Sequence, residues 1–449
     1  MNKAINISVP QAVRFIIQRI EEHGFEAFAV GGCVRDSIRG VTPNDWDICT
    51  SALPEKVEEI FADLHVIETG LQHGTVTVMI DHVGYEITTY RTEGTYSDRR
   101  KPDYVEFVTD LREDVRRRDF TVNAMAYSES TGLRDFFGGV DDLERGIIRC
   151  VGDADERFNE DALRILRAMR FAAVFDFEIE ESTAAAMHKN AHLLEYISKE
   201  RIAAELLKLV CGKGAAKLLD EFRDIVALIL PELEPCFDFE HRSKFHDSDV
   251  WRHTLRALDA IRPEPILRLT MLFHDCGKPK CCVEDADGFR HFYGHAEESV
   301  VLAKAALKRL KMSNEIINGV CVLVKYHDAL PVVKRKGLMR LLNKTDFETV
   351  ELLKEVVKAD AAAHAPFVRD EALERLAAVS DLLEVIKEEG ACFRISELAV
   401  GGKDLIAMGV RPGKHMGEIL NALMNAVMDG EIANDKAALL ERARELETN

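Results

Sequence analysis

The chain contains no run of about eighteen apolar residues, the length a bilayer-crossing helix needs, so no membrane span is expected. Its first residues, MNKAINISVPQAVRFIIQRI, are amphipathic with embedded charges and lack the apolar centre of a signal peptide. None of its ten cysteines forms a CxxC pair, although Cys281 and Cys282 are adjacent. That usage fits reduced thiols in a cytoplasmic protein. Internal repeats and low-complexity tracts are also missing. An excess of positive charge is lacking: Asp and Glu number 78 against 59 Lys and Arg, and the formal net charge of −19 argues against a surface that binds nucleic acid everywhere, while leaving room for a local basic groove. Candidate patches are Arg99-Arg100-Lys101, Arg116-Arg117-Arg118, Arg164 with Arg167 and Arg170, and Lys334-Arg335-Lys336. What remains is an ordinary water-soluble composition, 47% apolar and 31% charged, in a chain of 449 residues that can bury several cores.

The first 140 or so residues alternate between helical and strand patterns. Gln11–Glu22 reads as a helix, Ala27–Val30 and Trp46–Cys49 as short strands, and Val57, Ile60, Phe61 and Leu64 follow helical spacing behind Pro54. Val76–Ile80 and Tyr85–Tyr90 predict a hairpin across Asp81-His82-Val83-Gly84, with a further strand at Tyr104–Val108. A largely antiparallel sheet is expected. Beyond Gly138-Gly139 strand signals nearly vanish and helical periodicity dominates, punctuated by Pro231–Asp249 and by a loop at Ala286–Gly294.

The first chemical signal is Gly31-Gly32-Cys33-Val34-Arg35-Asp36, followed by Asp45-Trp46-Asp47. Residues i and i+2 of a strand share a face, so Asp45 and Asp47 should project together while Trp46 and Ile48 enter the core. Adjacent like charges repel, and a divalent cation between them is a common reason to keep both. The glycines allow backbone N–H groups to approach a phosphate at a helix start. Glu86, alternating with Ile87, could add a third carboxylate, or could be a surface residue of an edge strand. A second signal is Arg118-Asp119-Phe120-Thr121-Val122-Asn123, whose Arg and Asn could hold a triphosphate and a ribose. A third is Glu160-Asp161-Ala162-Leu163-Arg164-Ile165-Leu166-Arg167. There Asp161 and Arg164 stand three apart on a helix, either as a surface ion pair or as an acceptor–donor pair matching the edge of a base.

Together these segments resemble the class II tRNA nucleotidyltransferases, the CCA-adding enzymes and bacterial poly(A) polymerases, from about Phe25 to Val210. GGCVRD with DWDI resembles the family's catalytic motif, RRDFTVNAMA its second motif, and EDALRILRA the motif that templates the incoming base. Ser198-Lys199-Glu200-Arg201 through Glu205 is similar to a further neck helix of the family. The resemblance implies template-independent addition of C, C and A to a tRNA 3′ end from CTP and ATP. It implies catalytic Asp45 and Asp47 on Mg²⁺, with Gly32 and Arg35 holding the triphosphate. Arg118, Asp119 and Asn123 would bind the nucleotide, Asp161 and Arg164 would read the base, and Arg167 would join that nucleotide site. Glu68–Thr75 looks like the CCA type rather than the Arg-rich segment of poly(A) polymerases. Arg91–Pro102 resembles the flexible loop of full CCA-adding enzymes, with Arg99, Arg100 and Lys101 as RNA contacts. Poly(A) addition is the nearest alternative.

A separate constellation follows: His253, His274-Asp275, His291, His295 and His327-Asp328. The apolar run LTMLF before His274 places the His-Asp pair at a buried helix end, and His and Asp recurring on successive helices suit a cation inside a bundle. The spacing resembles the HD superfamily of metal-dependent phosphohydrolases. By that resemblance His253, His274 and Asp275 are ligands of a second divalent metal. Asp328 is taken as the fourth, in competition with His327 and His295, and a phosphohydrolase acting on RNA ends is a further alternative. The expected fold is α+β: a small N-terminal nucleotidyltransferase-type mixed sheet with helices, then an all-α neck, body and tail that include the HD-type module. The expected divisions are 1–142 (head), 143–210 (neck), 211–238 (body), 239–350 (HD-type module) and 351–449 (tail).

Overall fold

The computed structural model describes residues 5–70, 74–94, 104–329 and 334–448. The segments Leu71–His73 and Thr95–Asp103, with the basic cluster Arg99, Arg100 and Lys101, lie outside the described residues. The chain divides into two compact units, Met1–Pro231 and Glu232–Asn449.

The first unit is organised by a seven-stranded mixed sheet. Its strands are β1 (Ala27–Val30), β2 (Ile48–Thr50), β3 (His65–Gly70), β4 (Thr75–Ile80), β5 (Val83–Thr89), β8 (Met125–Ser128) and β9 (Gly132–Asp135), ordered β3-β4-β5-β2-β1-β8-β9. Between them in sequence, β6 (Arg91–Glu93) and β7 (Val105–Phe107) form a separate two-stranded ribbon. Within the sheet only β2 and β5 run parallel; the other neighbours are antiparallel. Three strands, β3, β8 and β9, carry no alternation strong enough to read from sequence. The predicted second strand is displaced: it begins at Ile48, so Asp45, Trp46 and Asp47 form its entry and Trp46 is only half-buried. The hairpin turn is also tighter than four residues. Asp81 and His82 alone carry it, at φ 48° and 66°, the left-handed values that a two-residue turn between twisted strands demands.

Phe28, Val30, Cys49, Tyr90, Leu111, Val115, Ala124, Ala126 and Val151 close one core of this unit. Burying such side chains supplies roughly 1.5–3 kcal/mol each for the larger ones. The helix Leu163–Phe175 packs on Lys199–Val210 and is apolar on most of its girth, burying Leu163, Ile165, Leu166, Ala168, Met169, Phe171, Ala172 and Ala173. Arg164, Arg167 and Arg170 share its half-buried remaining face. Asp176 ends it in the left-handed conformation.

The second unit is helical. Val250–Ala260, Pro265–Phe273, Asn314–Tyr326 and Phe347–Ala363 pack together, with His295–Arg309 against Asn314–Tyr326. Capping is explicit: Asp249, Glu264, Ser313 and Asp346 each accept a backbone N–H in the first turn of the helix they precede. The segment expected as a loop near residue 290 folds back as a short ribbon, Val283–Glu284 against Arg290–His291. No helix among the described residues is long and apolar enough to cross a membrane.

Candidate functional site

β1 ends at Val30, and the chain reverses through Gly31 into the helix Gly32–Ile38. Gly31 has φ 84° and ψ −127°, a conformation closed to L side chains, and its N–H donates to the Met125 carbonyl at 3.0 Å. A Cβ here would stand 2.6 Å from Arg118 Nη1, so glycine also lets that guanidinium lie against the backbone. The Val30 N–H donates to the Asp47 carbonyl at 3.0 Å, which brings the entry to β2 alongside the same corner. Asp45 and Asp47 are both exposed there. Partial desolvation raises the Asp47 carboxyl above its usual range; the Arg118 charge pulls it back and the Asp45 charge raises it further. Each of these charges acts on Asp47, so two carboxylates and a guanidinium share one corner. An all-oxygen pair of this kind suits a hard cation such as Mg²⁺. β5 is not an edge strand, since it lies between β4 and β2, and the parallel Ile48–Ile87 register, carried one residue back, puts Glu86 at the level of Asp47.

Behind this corner, a chain of polar side chains links the three sequence motifs. Arg35 is buried, with Nε and Nη2 donating to Asp36 at 2.9 and 2.8 Å and Nη1 to Asn123 Oδ1 at 2.5 Å. Its guanidinium lies 4.8 and 5.2 Å from the ring centres of Phe175 and Phe171. Asn123 Nδ2 donates to Asp119 Oδ1 at 3.0 Å, and Arg167 Nε and Nη2 donate to Asp119 Oδ2 at 2.8 and 2.5 Å. Burial works to raise the Asp119 carboxyl, but the Arg167 charge and the bonds from Asn123 and Arg167 prevail and lower it to about 2. Arg35 and Arg167 are thus held by protein partners, which fixes their direction.

Asp161 does not sit on a continuous helix. It occupies the break between Ala154–Glu160 and Leu163–Phe175, at φ −144°. Its Oδ1 accepts the Leu163 N–H at 3.0 Å and its Oδ2 accepts from Arg201 Nη2 at 2.6 Å. Arg164 pairs with Glu160 and donates to the Arg157 and Arg117 carbonyls, each at 3.2 Å. The surface ion pair expected three residues along is replaced by these two tethers. Arg201, on the helix Lys199–Val210, is legible in the sequence only as part of a similar neck segment.

The second unit gathers the histidines. His253 Nε2 lies 2.8 Å from Asp360 Oδ1, 3.4 Å from Asp275 Oδ2 and 3.3 Å from His274 Nε2. On the other oxygen of Asp275, His295 Nε2 stands at 3.4 Å and His327 Nε2 at 3.7 Å, with 3.2 Å between the two nitrogens. In His274, His295 and His327, Nδ1 faces a backbone carbonyl at 2.7, 2.9 and 2.7 Å. Those Nδ1 atoms must carry hydrogen, so the Nε2 atoms turn lone pairs toward one another and toward Asp275. Lone pair facing lone pair is unfavourable without a cation between, and three groups have metal-ligand geometry: His253/His274/Asp275, Asp275/His295/His327 and His246/His253/His364. Burial opposes charging His274, yet Asp275 and Asp360 overcome it and raise it, so the space between these groups favours positive charge. Lys278 Nζ contacts Asp275 Oδ2 at 2.5 Å.

Asp328 is not in these groups. It is exposed, one position past a buried His327 at a helix end, and lines a cavity of about 620 Å³ with Lys244, Lys278, Arg290, Tyr293 and His295. The carboxylate that does stand beside the pair is Asp360, whose Oδ1 lies 2.8 Å from His253 Nε2 and 3.3 Å from His274 Nε2. Its sequence signal is the spacing of Asp360 and His364, one helical turn apart.

Three stretches match family models: residues 27–149 the "Poly A polymerase head domain", 176–237 the "Probable RNA and SrmB- binding site of polymerase A", and 292–443 tRNA nucleotidyltransferase domain 2. The CCA-adding enzyme of Ligilactobacillus salivarius is 37% identical over 445 residues, covering 96% of this chain and 95% of that protein. The CCA-adding enzyme of Limosilactobacillus fermentum is 38% identical, with 97% of each chain covered. Among solved structures, the Bacillus stearothermophilus CCA-adding enzyme in complex with CTP aligns with a TM-score of 0.69 at 31% identity, over 98% of both chains. The Thermotoga maritima CCA-adding enzyme complexed with tRNA shares the fold, with a TM-score of 0.59 at 21% identity over 99% of this chain and 97% of that one.

Proposed function

The chain belongs to the CCA-adding enzymes, a family of tRNA nucleotidyltransferases, and from that premise we propose that it adds C, C and A to the tRNA 3′ end from CTP and ATP in the cytoplasm, without a nucleic-acid template. The observation that carries the reading is the corner where Asp45, Asp47 and Arg118 meet beside the Gly31 turn. In the reaction the terminal 3′-hydroxyl oxygen forms a bond to the α-phosphorus. The bond from that phosphorus to pyrophosphate breaks, and the hydroxyl proton is lost. Mg²⁺ held by Asp45 and Asp47 would supply acidification of the hydroxyl and charge neutralisation on the leaving group. Arg118 lies beside them as a fixed cation for the triphosphate. Asp161 accepts from the exocyclic amine that cytosine and adenine share, and Arg164 donates to the neighbouring ring acceptor. Asp119, Asn123 and Arg35 fix the position of the base-reading helix relative to the glycine turn.

The test is extension of tRNA lacking its terminal CCA with CTP alone, ATP alone, and both. Two cytidines from CTP and a single closing adenosine only when both are present are expected. Asp45→Asn or Asp47→Asn should lower the rate by at least about 10²–10³, as loss of a charge-stabilising group does. Long A tracts from ATP alone would refute the choice in favour of poly(A) synthesis.

A specific observation supports a second activity. The paired lone pairs on either side of Asp275 suit two divalent cations, His253, His274, Asp275 and Asp360 holding one and Asp275, His295 and His327 the other. Such a centre is of the HD type and is read here as a phosphohydrolase for RNA ends. Water oxygen bonds to phosphorus, the ester P–O bond breaks, and the departing alcohol oxygen takes up a proton.

A further inference from the structure

Asp161 has a short side chain at a helix break, and both its oxygens are engaged. Oδ1 is fixed by the Leu163 N–H at 3.0 Å, and Oδ2 by Arg201 Nη2 at 2.6 Å. The Asp161 and Arg201 side chains retain 15% and 26% of their exposure, so the pair is reachable from solvent without being open to it. A carboxylate accepts about four hydrogen bonds, which leaves lone pairs for a ligand while both oxygens stay tied. Arg164, the proposed donor, is anchored separately through Glu160 and two carbonyls. Beyond the local Leu163 N–H, the anchoring of the acceptor therefore rests on one residue from another helix.

We infer that Arg201 is a positioning residue that orients Asp161 so that its free lone pairs meet only an exocyclic amine, and that it thereby sets discrimination of C and A against U and G. The inference rests on the reading of Asp161 as a base acceptor. A terminal carboxylate torsion is broad and roughly two-fold, so without Arg201 the Oδ2 atom turns about the Oδ1 anchor. A turned carboxylate can accept the ring N–H of uracil or guanine, which an oriented one meets poorly. In the folded protein, the carbonyl oxygens that U and G carry in place of the amine would face Oδ2 acceptor to acceptor, a repulsion that selects against them.

The experiment compares wild type, Arg201→Gln, Arg201→Lys and Asp161→Ala for single-nucleotide addition to tRNA lacking CCA, with each of the four nucleoside triphosphates. Thermal melting of each variant serves as the folding control. Arg201→Gln is expected to reduce the ratio of kcat/KM for CTP over UTP by about tenfold, the loss a misplaced hydrogen-bond partner brings. Inhibition by tripolyphosphate should stay unchanged, because the triphosphate contacts lie elsewhere. Arg201→Lys should recover most of the ratio. Equal loss with all four triphosphates would overturn the proposal, as would an unchanged ratio in Arg201→Gln when Asp161→Ala alters it. Unchanged ratios in both variants would overturn the premise about Asp161 and the proposal with it.

Discussion

Asp119 offers the most quantitative test of the polar chain behind the site. Its carboxyl is lowered from 3.8 to about 2, and at about 1.4 kcal/mol for each tenfold change this contributes about 2 kcal/mol to stability at pH 7. A carboxylate depressed in the folded state stabilises fully above its unfolded value, and the contribution fades as pH falls from 3.8 toward 2. By the same linkage about half of it remains at pH 3. Asp119→Asn should therefore destabilise the first unit by about 2 kcal/mol at pH 7 and pH 5, and by about half that at pH 3. The loss should stay below the 3–5 kcal/mol typical of a broken buried pair, because the Arg167 side chain is 35% exposed and water can take over its donors. The sequence has two tryptophans, Trp46 in the first unit and Trp251 in the second. In a Trp251→Phe background, Trp46 fluorescence during urea unfolding then reports on the unit that holds Asp119. A destabilisation that does not change between pH 7 and pH 3, or one below about 0.5 kcal/mol throughout, would refute the assignment of the depression to Arg167 and Asn123.

Two further outcomes follow from geometry. Gly31→Ala must strain a backbone at φ 84° and displace Arg118 from 2.6 Å; a loss of about 1–3 kcal/mol in stability and a raised KM for CTP are expected. Unaltered CTP kinetics and melting would contradict the close approach. Asp360→Ala removes the oxygen that His253 and His274 share, so Mn²⁺ retained after dialysis, read by elemental analysis, should fall and phosphomonoester hydrolysis should vanish, with CCA addition intact. Full retention of the metal would exclude Asp360 as a ligand.

The sequence discloses the chemistry better than the geometry. Gly31, Asp45, Asp47, Asp119 and Asn123 can be singled out because glycine pairs, acid pairs and short Arg/Asn clusters are rare enough to stand out locally. β3, β8 and β9 cannot, since strands of four to six residues with few alternating positions owe their formation to neighbours across the sheet. Trp46 is misplaced by pattern reading for a related reason: the strand starts two residues later, and its register is fixed by β1 and β5. Arg201 and Asp360 escape notice because each acts on a partner far along the chain, 40 residues away for Arg201 and Asp161 and 107 for His253 and Asp360. That the strand of Glu86 lies inside the sheet rather than at its edge is likewise hidden, because strand order is a tertiary property.

The division at Pro231 has an evolutionary corollary. The acidic corner and the histidine cluster each rest on a separate hydrophobic interior, so a lineage can alter one set of side chains by point substitution without disturbing the packing under the other. Substituting the imidazoles would leave the packing beneath Asp45 and Asp47 intact, and the reverse change would leave the histidine cluster on its own core.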